Sequence, residues 1–248
     1  MDHKERQHSS KDGSFSSDVL WQWIRVVCFA VAFAWVESAV VVYLREIYFE
    51  GSFSFPLVFE WDDAKFVMDL FLRIELGREA ATIVMLVMAG WIAARMPLVR
   101  FSYFMIAFGV WDIFYYVWLW VMIRWPESLM TWDLLFAIPL PWVGPVIAPV
   151  LISIAMIVAG SLIVFYMSQG CRIAWRWYDW AVELIMALLM IVAFCWDWKN
   201  IMRLPDGVTR SGLPNPFAWW LFGPAYAGAV CYFFFRLRKI VQNGLSPK

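Results

Sequence analysis

Histidine is almost absent from this sequence, which contains only His3 and His8, both close to the first residue. This scarcity argues against a haem, copper or di-iron centre held by histidine, against an HExxH protease and against a histidine-dependent phosphatase. The sequence also lacks a P-loop, a dinucleotide-binding fingerprint and a GxSxG nucleophile elbow. We therefore predict no cofactor and no metal site.

Charged residues and closely spaced cysteines are also scarce. Only 16% of the residues are charged, the formal net charge is zero, and the basic residues form no long run. This pattern argues against nucleic acid as a partner and against a polybasic segment that binds a lipid surface. The four cysteines form no CxxC pair and lie in or beside apolar segments. We expect them to be small core residues, with a disulfide or a metal site as the alternative.

Apolar residues dominate the chain instead. They make up 63% of the 248 residues, and the mean hydropathy is +0.66. These values are typical of polytopic membrane proteins, in which each crossing helix requires roughly 20 apolar residues. Six segments meet that requirement, at residues 20–44, 70–94, 101–123, 143–167, 180–196 and 217–235. We therefore predict an all-α, polytopic membrane helical bundle with about six transmembrane helices.

The chain is predicted to form one transmembrane domain, residues 19–240, between two cytoplasmic tails. Residues 1–18 are polar, rich in serine and mixed in charge, which predicts disorder, and residues 241–248 form a short second tail. Glu37 interrupts the first apolar run and argues against a cleaved signal peptide. No internal repeat supports an inverted-repeat transporter.

The basic residues near the helix ends predict the orientation in the membrane. The positive-inside rule places such residues on the cytoplasmic side. With both termini inside, that side holds Lys4, Arg6, Lys11, Arg25, Arg95, Arg100, Arg172, Arg176, Arg236, Arg238, Lys239 and Lys248. The opposite loops hold about half as many basic residues. We therefore predict that both termini are cytoplasmic.

A group of polar side chains lies inside the predicted helices, where a charge costs at least ~2.5 kcal/mol. This interior cluster consists of Glu37, Glu75, Arg78, Glu79, Asp112, Tyr115 and Tyr116. Within the second and third helices, its members follow the i, i+3, i+4 spacing of one helix face. We predict that Glu37 and the polar faces of the second and third helices meet in the outer half of the bundle, where they bind a ligand or ion. We assign no catalytic residue.

The interior cluster carries four carboxyl groups but one cation, Arg78. In a low-dielectric interior, either some carboxyls must be protonated, or a cation or ligand amine must complete the site. A protonated carboxyl can carry a transported proton or act as a general acid. The alternative is that Arg78 pairs with Glu37 or Asp112 across helices and serves only to hold them together.

Three tryptophan-aspartate pairs lie on the predicted outer connections, and they are Trp61, Asp62, Trp132, Asp133, Trp196 and Asp197. We predict that they form an aromatic and acidic vestibule suited to a cationic or amphiphilic ligand. The alternative is that the tryptophans are interfacial anchors. The proline-rich segment IPLPWVGPVIAP, residues 138–149, either lines the mouth of the same site or is a loop followed by a first helical turn.

Most of the chain resembles an uncharacterised family of bacterial multi-pass membrane proteins. The resemblance rests on AWVESAVVVYLR at 34–45, ELGREAATIVML at 75–86 and the aromatic and proline-rich run at 108–153. It implies a bacterial inner (cytoplasmic) membrane protein and implies no particular activity.

A second likeness concerns the third helix and the segment after it. Trp111, Asp112 and the Pro139-Leu140 step are similar in layout to the small membrane domains of carotenoid cyclases. That likeness implies protonation of a polyene by buried carboxylates. Here Pro141 and Trp142 replace the paired glutamates expected after the Pro-Leu step.

The sequence leaves three functions open. The first is binding or transport of a cation, proton or small amphiphile through an outward-facing acidic and aromatic cavity. The second is a non-catalytic subunit or assembly factor of a larger membrane complex, and the third is a lipid- or isoprenoid-modifying enzyme that uses a buried carboxylic acid. The sequence favours the first and a non-enzymatic role, with the lipid bilayer and other membrane subunits as candidate partners.

Overall fold

The computed structural model describes residues 16–48, 64–136, 140–196 and 217–245. This part of the chain is mostly helical, which confirms the predicted all-α class. The helices are α1 (Ser17–Tyr48), α2 (Ala64–Ala93), α3 (Pro97–Ile123), α4 (Ile147–Ser168), α5 (Trp177–Cys195) and the last helix, α6 (Trp219–Leu245). Two short strands, β1 (Trp132–Phe136) and β2 (Trp142–Pro145), lie between α3 and α4.

Five helices, α1 to α5, are long and apolar enough to cross a membrane. Helix α6 falls outside this group. Pro224 and several glycine, tryptophan and tyrosine residues lower the mean hydropathy of its apolar segment. Large apolar side chains cover the outside of the bundle, including Ile92, which is 83% exposed, and Val36, which is 56% exposed. A surface of this kind is unfavourable in water and suited to acyl chains. The described fold is therefore that of a membrane protein.

Helix α3 packs against α1, α2 and α4, whereas α5 packs against α6 and α6 also contacts α4. One contact shows that α1 and α4 run in opposite directions. Near the start of α1, Trp23 Nε1 donates a hydrogen bond to Ser161 Oγ near the end of α4, at 3.0 Å. One end of the bundle contains the start of α1, residues 94–100 and 169–179, and the end of α6. We call it the basic end. The opposite end, the hairpin end, contains the two strands.

Helices α3 and α4 cross at two reciprocal glycine contacts. A Cβ atom added to Gly109 would lie 2.6 Å from the carbonyl oxygen of Ser153, and one added to Gly160 would lie 2.6 Å from that of Ser102. Any side chain at either position would collide with backbone, so glycine permits this close approach. The crossing places Ser153 against the turn of α3 that carries Asp112.

The hairpin of β1 and β2 is a feature that the sequence did not predict. Its strands are antiparallel, with Asp133 opposite Gly144, and their aromatic and branched side chains favour extended structure. Gly144 lies beneath the rings of Phe194 and Phe217, which a Cβ atom there would approach to 2.9 and 3.0 Å. The chain is therefore still extended at residues 142–145, and α4 begins at Ile147, not at residue 143 as predicted.

The helix ends also differ from the apolar runs on which they were predicted. Helix α1 begins at Ser17, inside the predicted N-terminal tail, and α6 continues to Leu245, past the predicted end of the domain at residue 240. Helices continue past the apolar run because polar residues can extend them into the interfacial region. The rest of the predicted N-terminal tail, residues 1–15, lies outside the described residues.

Candidate functional site

Arg78 on α2 contacts carboxylates on two helices. Its Nε and Nη2 atoms lie 2.9 and 2.7 Å from Glu75 Oε2, and its Nη1 atom pairs with Glu37 Oε1 on α1. Thr82, one turn further along α2, donates a hydrogen bond from Oγ1 to Glu37 Oε2 at 3.2 Å. Helical spacing places Glu75, Arg78 and Thr82 on one face of α2. Two residues of this face, Arg78 and Thr82, contact Glu37. One cation between two carboxylates leaves this group formally negative.

Asp112 on α3 is a second buried carboxyl group, with 8% of the residue exposed. Ser153 Oγ on α4 donates a hydrogen bond to Asp112 Oδ2 at 2.8 Å. Among the residues that the structure describes, no cation forms an ion pair with Asp112. A buried carboxyl whose partner is a neutral hydroxyl can exchange a proton, or accept a cation, without the rupture of an ion pair.

Two tyrosines on α3 extend the polar contacts toward the hairpin and toward α1. Tyr116 Oη donates a hydrogen bond to Oδ2 of Asp133 in β1 at 3.3 Å, and its ring meets that of Tyr115 edge to face at 5.0 Å. The Tyr115 carbonyl accepts a hydrogen bond from Ser38 Oγ on α1 at 3.0 Å. Tyr115 also interacts electrostatically with Arg78. The polar side chains thus continue from the hairpin through α3 to α1 and α2.

The structure places the predicted interior cluster in two adjoining groups. The first consists of Glu37, Glu75 and Arg78, together with the half-buried Glu79, which interacts electrostatically with Glu75 and Arg78. The second consists of Asp112 and Tyr116 with their partners Ser153 and Asp133, and Tyr115 lies between the two groups. Of the two pairings across helices that the sequence left open for Arg78, the structure contains the one with Glu37.

The predicted vestibule is only partly within the described residues. Asp133 is buried, at 1% exposure, and belongs to the interior rather than to an open surface. Trp132 is half-buried, and its ring contacts Phe217 with the centroids 6.2 Å apart. Trp196 is 61% exposed and meets Trp220 edge to face at 5.4 Å. The other predicted members, Trp61, Asp62 and Asp197, lie outside the described residues.

A second network of buried charge, at the basic end, was missed by sequence reasoning. Asp179 on α5 is 0% exposed. It accepts hydrogen bonds from Arg236 Nη2 at 2.7 Å, from Tyr232 Oη at 2.7 Å and from the backbone N–H of Arg176 at 2.8 Å. The i, i+4 spacing of Tyr232 and Arg236 on α6 was an available signal for a shared partner. The sequence gave no indication that this partner lies on α5.

The cysteines and the other metal-ligating side chains form no centre in the described part of the chain. All four cysteines are free thiols, and Cys28 and Cys231 are exposed, so the expectation that all four are core residues was wrong for these two. No group of three or more histidine, cysteine, aspartate or glutamate side chains with metal-binding geometry occurs within the described ranges.

Comparison with known proteins does not add a family or a function. No protein family matches the chain, and no curated protein or solved structure is significantly similar to it. A helical bundle by itself hosts many unrelated functions.

Proposed function

We propose that the chain is an integral membrane protein that binds or transports a proton or another cation through the interior cluster. The same carboxyl groups would suit a small amphiphile that carries an amine. The observation that carries this proposal is the Asp112 carboxyl, which is buried, is hydrogen-bonded to Ser153 and has no ion-pair partner among the described residues. An ionisable group in such surroundings is costly, and its presence therefore points to a functional role.

The contact between Asp112 and Ser153 supports exchange of a proton. When Asp112 is ionised, the Ser153 hydroxyl donates to it at 2.8 Å. When Asp112 is protonated, its own O–H can donate, and the Ser153 hydroxyl can rotate to accept. One serine therefore serves both protonation states without movement of the backbone. Tyr116 and Asp133 provide the next hydroxyl and carboxyl groups on the way to the hairpin end.

The distribution of basic residues supports an orientation with the basic end in the cytoplasm, and we propose the bacterial inner membrane as its location. The described residues at this end include Arg25, Arg95, Arg100, Arg172, Arg176, Arg236, Arg238 and Lys239. Basic residues near helix ends favour the cytoplasmic side. In this orientation, both termini are cytoplasmic, and the hairpin and Asp133 lie toward the outer face.

Asp112→Asn is expected to abolish cation movement while the fold is retained. Asparagine has nearly the same shape as aspartate and can still accept a hydrogen bond from Ser153, but it cannot take up a proton or bind a cation by charge. The measurement is proton and sodium flux into proteoliposomes under an imposed membrane potential. The flux of the variant should fall to that of protein-free liposomes, whereas Glu46→Gln, an exposed carboxyl on α1, should retain the wild-type flux.

Two results would decide against this proposal. Wild-type flux no greater than that of protein-free liposomes would exclude transport, and native mass spectrometry would then test for a bound amphiphile that Asp112→Asn loses. If neither flux nor a bound molecule depends on Asp112, the interior cluster has no ligand and the proposal is wrong.

One observation favours a second candidate, a non-catalytic subunit or assembly factor of a larger membrane complex. The contacts of Arg78 with Glu37 and Glu75 join α1 to α2 and require no ligand. Such a network suits an element that only holds helices together. Gentle extraction from the native membrane should then recover the chain with the same partner proteins from wild type and from Asp112→Asn.

A further inference from the structure

A cavity at the basic end is lined by cations from two separate stretches of the chain. Its volume is about 350 Å³, and it lies between the connection from α4 to α5 and the last turns of α6. Arg172 and Arg176 come from the connection, and Arg236 and Lys239 come from α6. A cavity of this size lies within the range of small-ligand sites.

Three of these four cations are available to a ligand. Arg236 is paired with the buried Asp179 at 2.7 Å. Arg172, Arg176 and Lys239 are exposed, and no carboxylate among the described residues forms an ion pair with them. Like charges around one concavity repel each other and raise the local concentration of anions. The lining therefore favours a negatively charged occupant.

Two features hold the cations in place around the cavity. Asp179 binds the Arg236 side chain and the Arg176 backbone N–H, so the α5 and α6 sides of the lining share one buried anchor. The Tyr178 ring lies 5.8 Å from the Arg176 guanidinium and 5.7 Å from that of Arg236, within range of cation-π attraction. The two guanidinium groups thus share an aromatic neighbour. This contact restricts their motion before a ligand binds, so that less side-chain entropy is lost on binding.

The position of the cavity corresponds to the level of lipid headgroups. Helix α5 begins beside it at Trp177. Trp177 is 79% exposed and Trp180 is 43% exposed, and exposed tryptophans at a helix end are typical of the membrane-water interface. A headgroup phosphate or a soluble phosphate compound could reach the cavity from this level.

We propose that this cavity binds an anion that bears a phosphate group, held by Arg172, Arg176 and Lys239. Arginine forms paired hydrogen bonds with phosphate oxygens, and lysine adds a point charge. Basic pockets between helices on the cytoplasmic side of membrane proteins bind anionic headgroups in this way. The site is independent of the interior cluster and does not require the transport function proposed above.

The test uses the full chain in detergent and native mass spectrometry with three probes: phosphatidylglycerol, phosphatidylcholine and inorganic pyrophosphate. The variant Arg172→Gln/Arg176→Gln/Lys239→Gln removes three cations of the lining. The control Arg25→Gln/Arg95→Gln/Arg238→Gln removes three exposed cations from the same end of the bundle but outside the lining. At about 1 kcal/mol per basic residue, the cavity variant should bind the anionic probe on the order of 100-fold more weakly, and the control should stay close to wild type.

The probes also distinguish the source of the phosphate. Preference for phosphatidylglycerol over phosphatidylcholine, without competition from pyrophosphate, would identify a lipid headgroup. Saturable binding of pyrophosphate, or displacement of the lipid by it, would identify a soluble ligand. Equal losses in the two triple variants would overturn the proposal, because binding would then follow net charge. It would also be overturned if the wild type showed neither a preference between the lipids nor binding of pyrophosphate.

Discussion

Arg78→Met is expected to lower the free energy of unfolding by about 3–5 kcal/mol, the usual effect of removing one partner of a buried ion pair. The side chains of Glu37 and Glu75 are only 9% and 14% exposed, and both contact Arg78. Without the guanidinium, two carboxylates would remain together in the bundle, with Thr82 as a hydrogen-bond donor to Glu37. Detergent titration followed by circular dichroism would measure the loss.

Two further variants separate this ion network from a general effect of lost charge. Arg95→Met removes an exposed cation beyond the end of the same helix and should change the free energy of unfolding by less than about 0.5 kcal/mol. Arg78→Met/Glu37→Gln/Glu75→Gln removes both carboxylates as well and should recover most of the stability. If Arg78→Met is as stable as Arg95→Met, the contacts between α1 and α2 do not depend on this ion network.

Asp179→Ala should destabilise the chain to a similar extent, by about 3–5 kcal/mol, because it leaves Arg236 without its buried counter-ion. The substitution also removes the acceptor for Tyr232 Oη and for the Arg176 backbone N–H. The damage should be confined to the packing of α5 against α6, which Asp179 joins. Hydrogen exchange with mass spectrometry should show that the substitution accelerates exchange in α5 and α6, relative to wild type, more than in α1 to α3.

The matched control is Asp18→Ala. Asp18 also lies in the first turn of a long helix, but it is exposed. An exposed carboxylate at a helix N-terminus is worth about 0.3–1 kcal/mol, so this variant should remain close to wild type. Equal destabilisation by Asp18→Ala and Asp179→Ala would show that only the helix-terminal charge matters, and that burial and the contacts of Arg236 do not.

Each of the six predicted segments contains a helix, and five of these helices are long and apolar enough to cross a membrane. Long apolar runs have few alternatives to a helix in a membrane. Helical spacing also predicted that Glu75 and Arg78 lie on one face of α2, but the ion pair between them was not predicted. The hairpin was not predicted, because the proline-rich segment suggested only a loop and the start of a helix. Asp133 was consequently assigned to an outer vestibule, whereas the hairpin places it in the interior, where it accepts a hydrogen bond from Tyr116.

Contacts between distant parts of the chain also could not be predicted from the sequence. The bond of Ser153 to Asp112 depends on the glycine crossing of α3 and α4, and neither serine nor glycine is unusual within an apolar run. Asp179 and Arg236 are 57 residues apart, and no periodicity in the sequence links them. The cavity at the basic end is formed in the same way, from short basic stretches on α6 and on the connection before α5.

The proposed function requires that Asp112 take up a proton or cation inside the bundle. Dicyclohexylcarbodiimide, which reacts with protonated carboxyl groups in apolar surroundings, tests it most directly when the modified residue is located by mass spectrometry. We predict an adduct on Asp112 at neutral pH, less of it at alkaline pH, and none at this position in Asp112→Asn. Modification of other carboxyl groups without an adduct on Asp112 at any pH would contradict the proposed function.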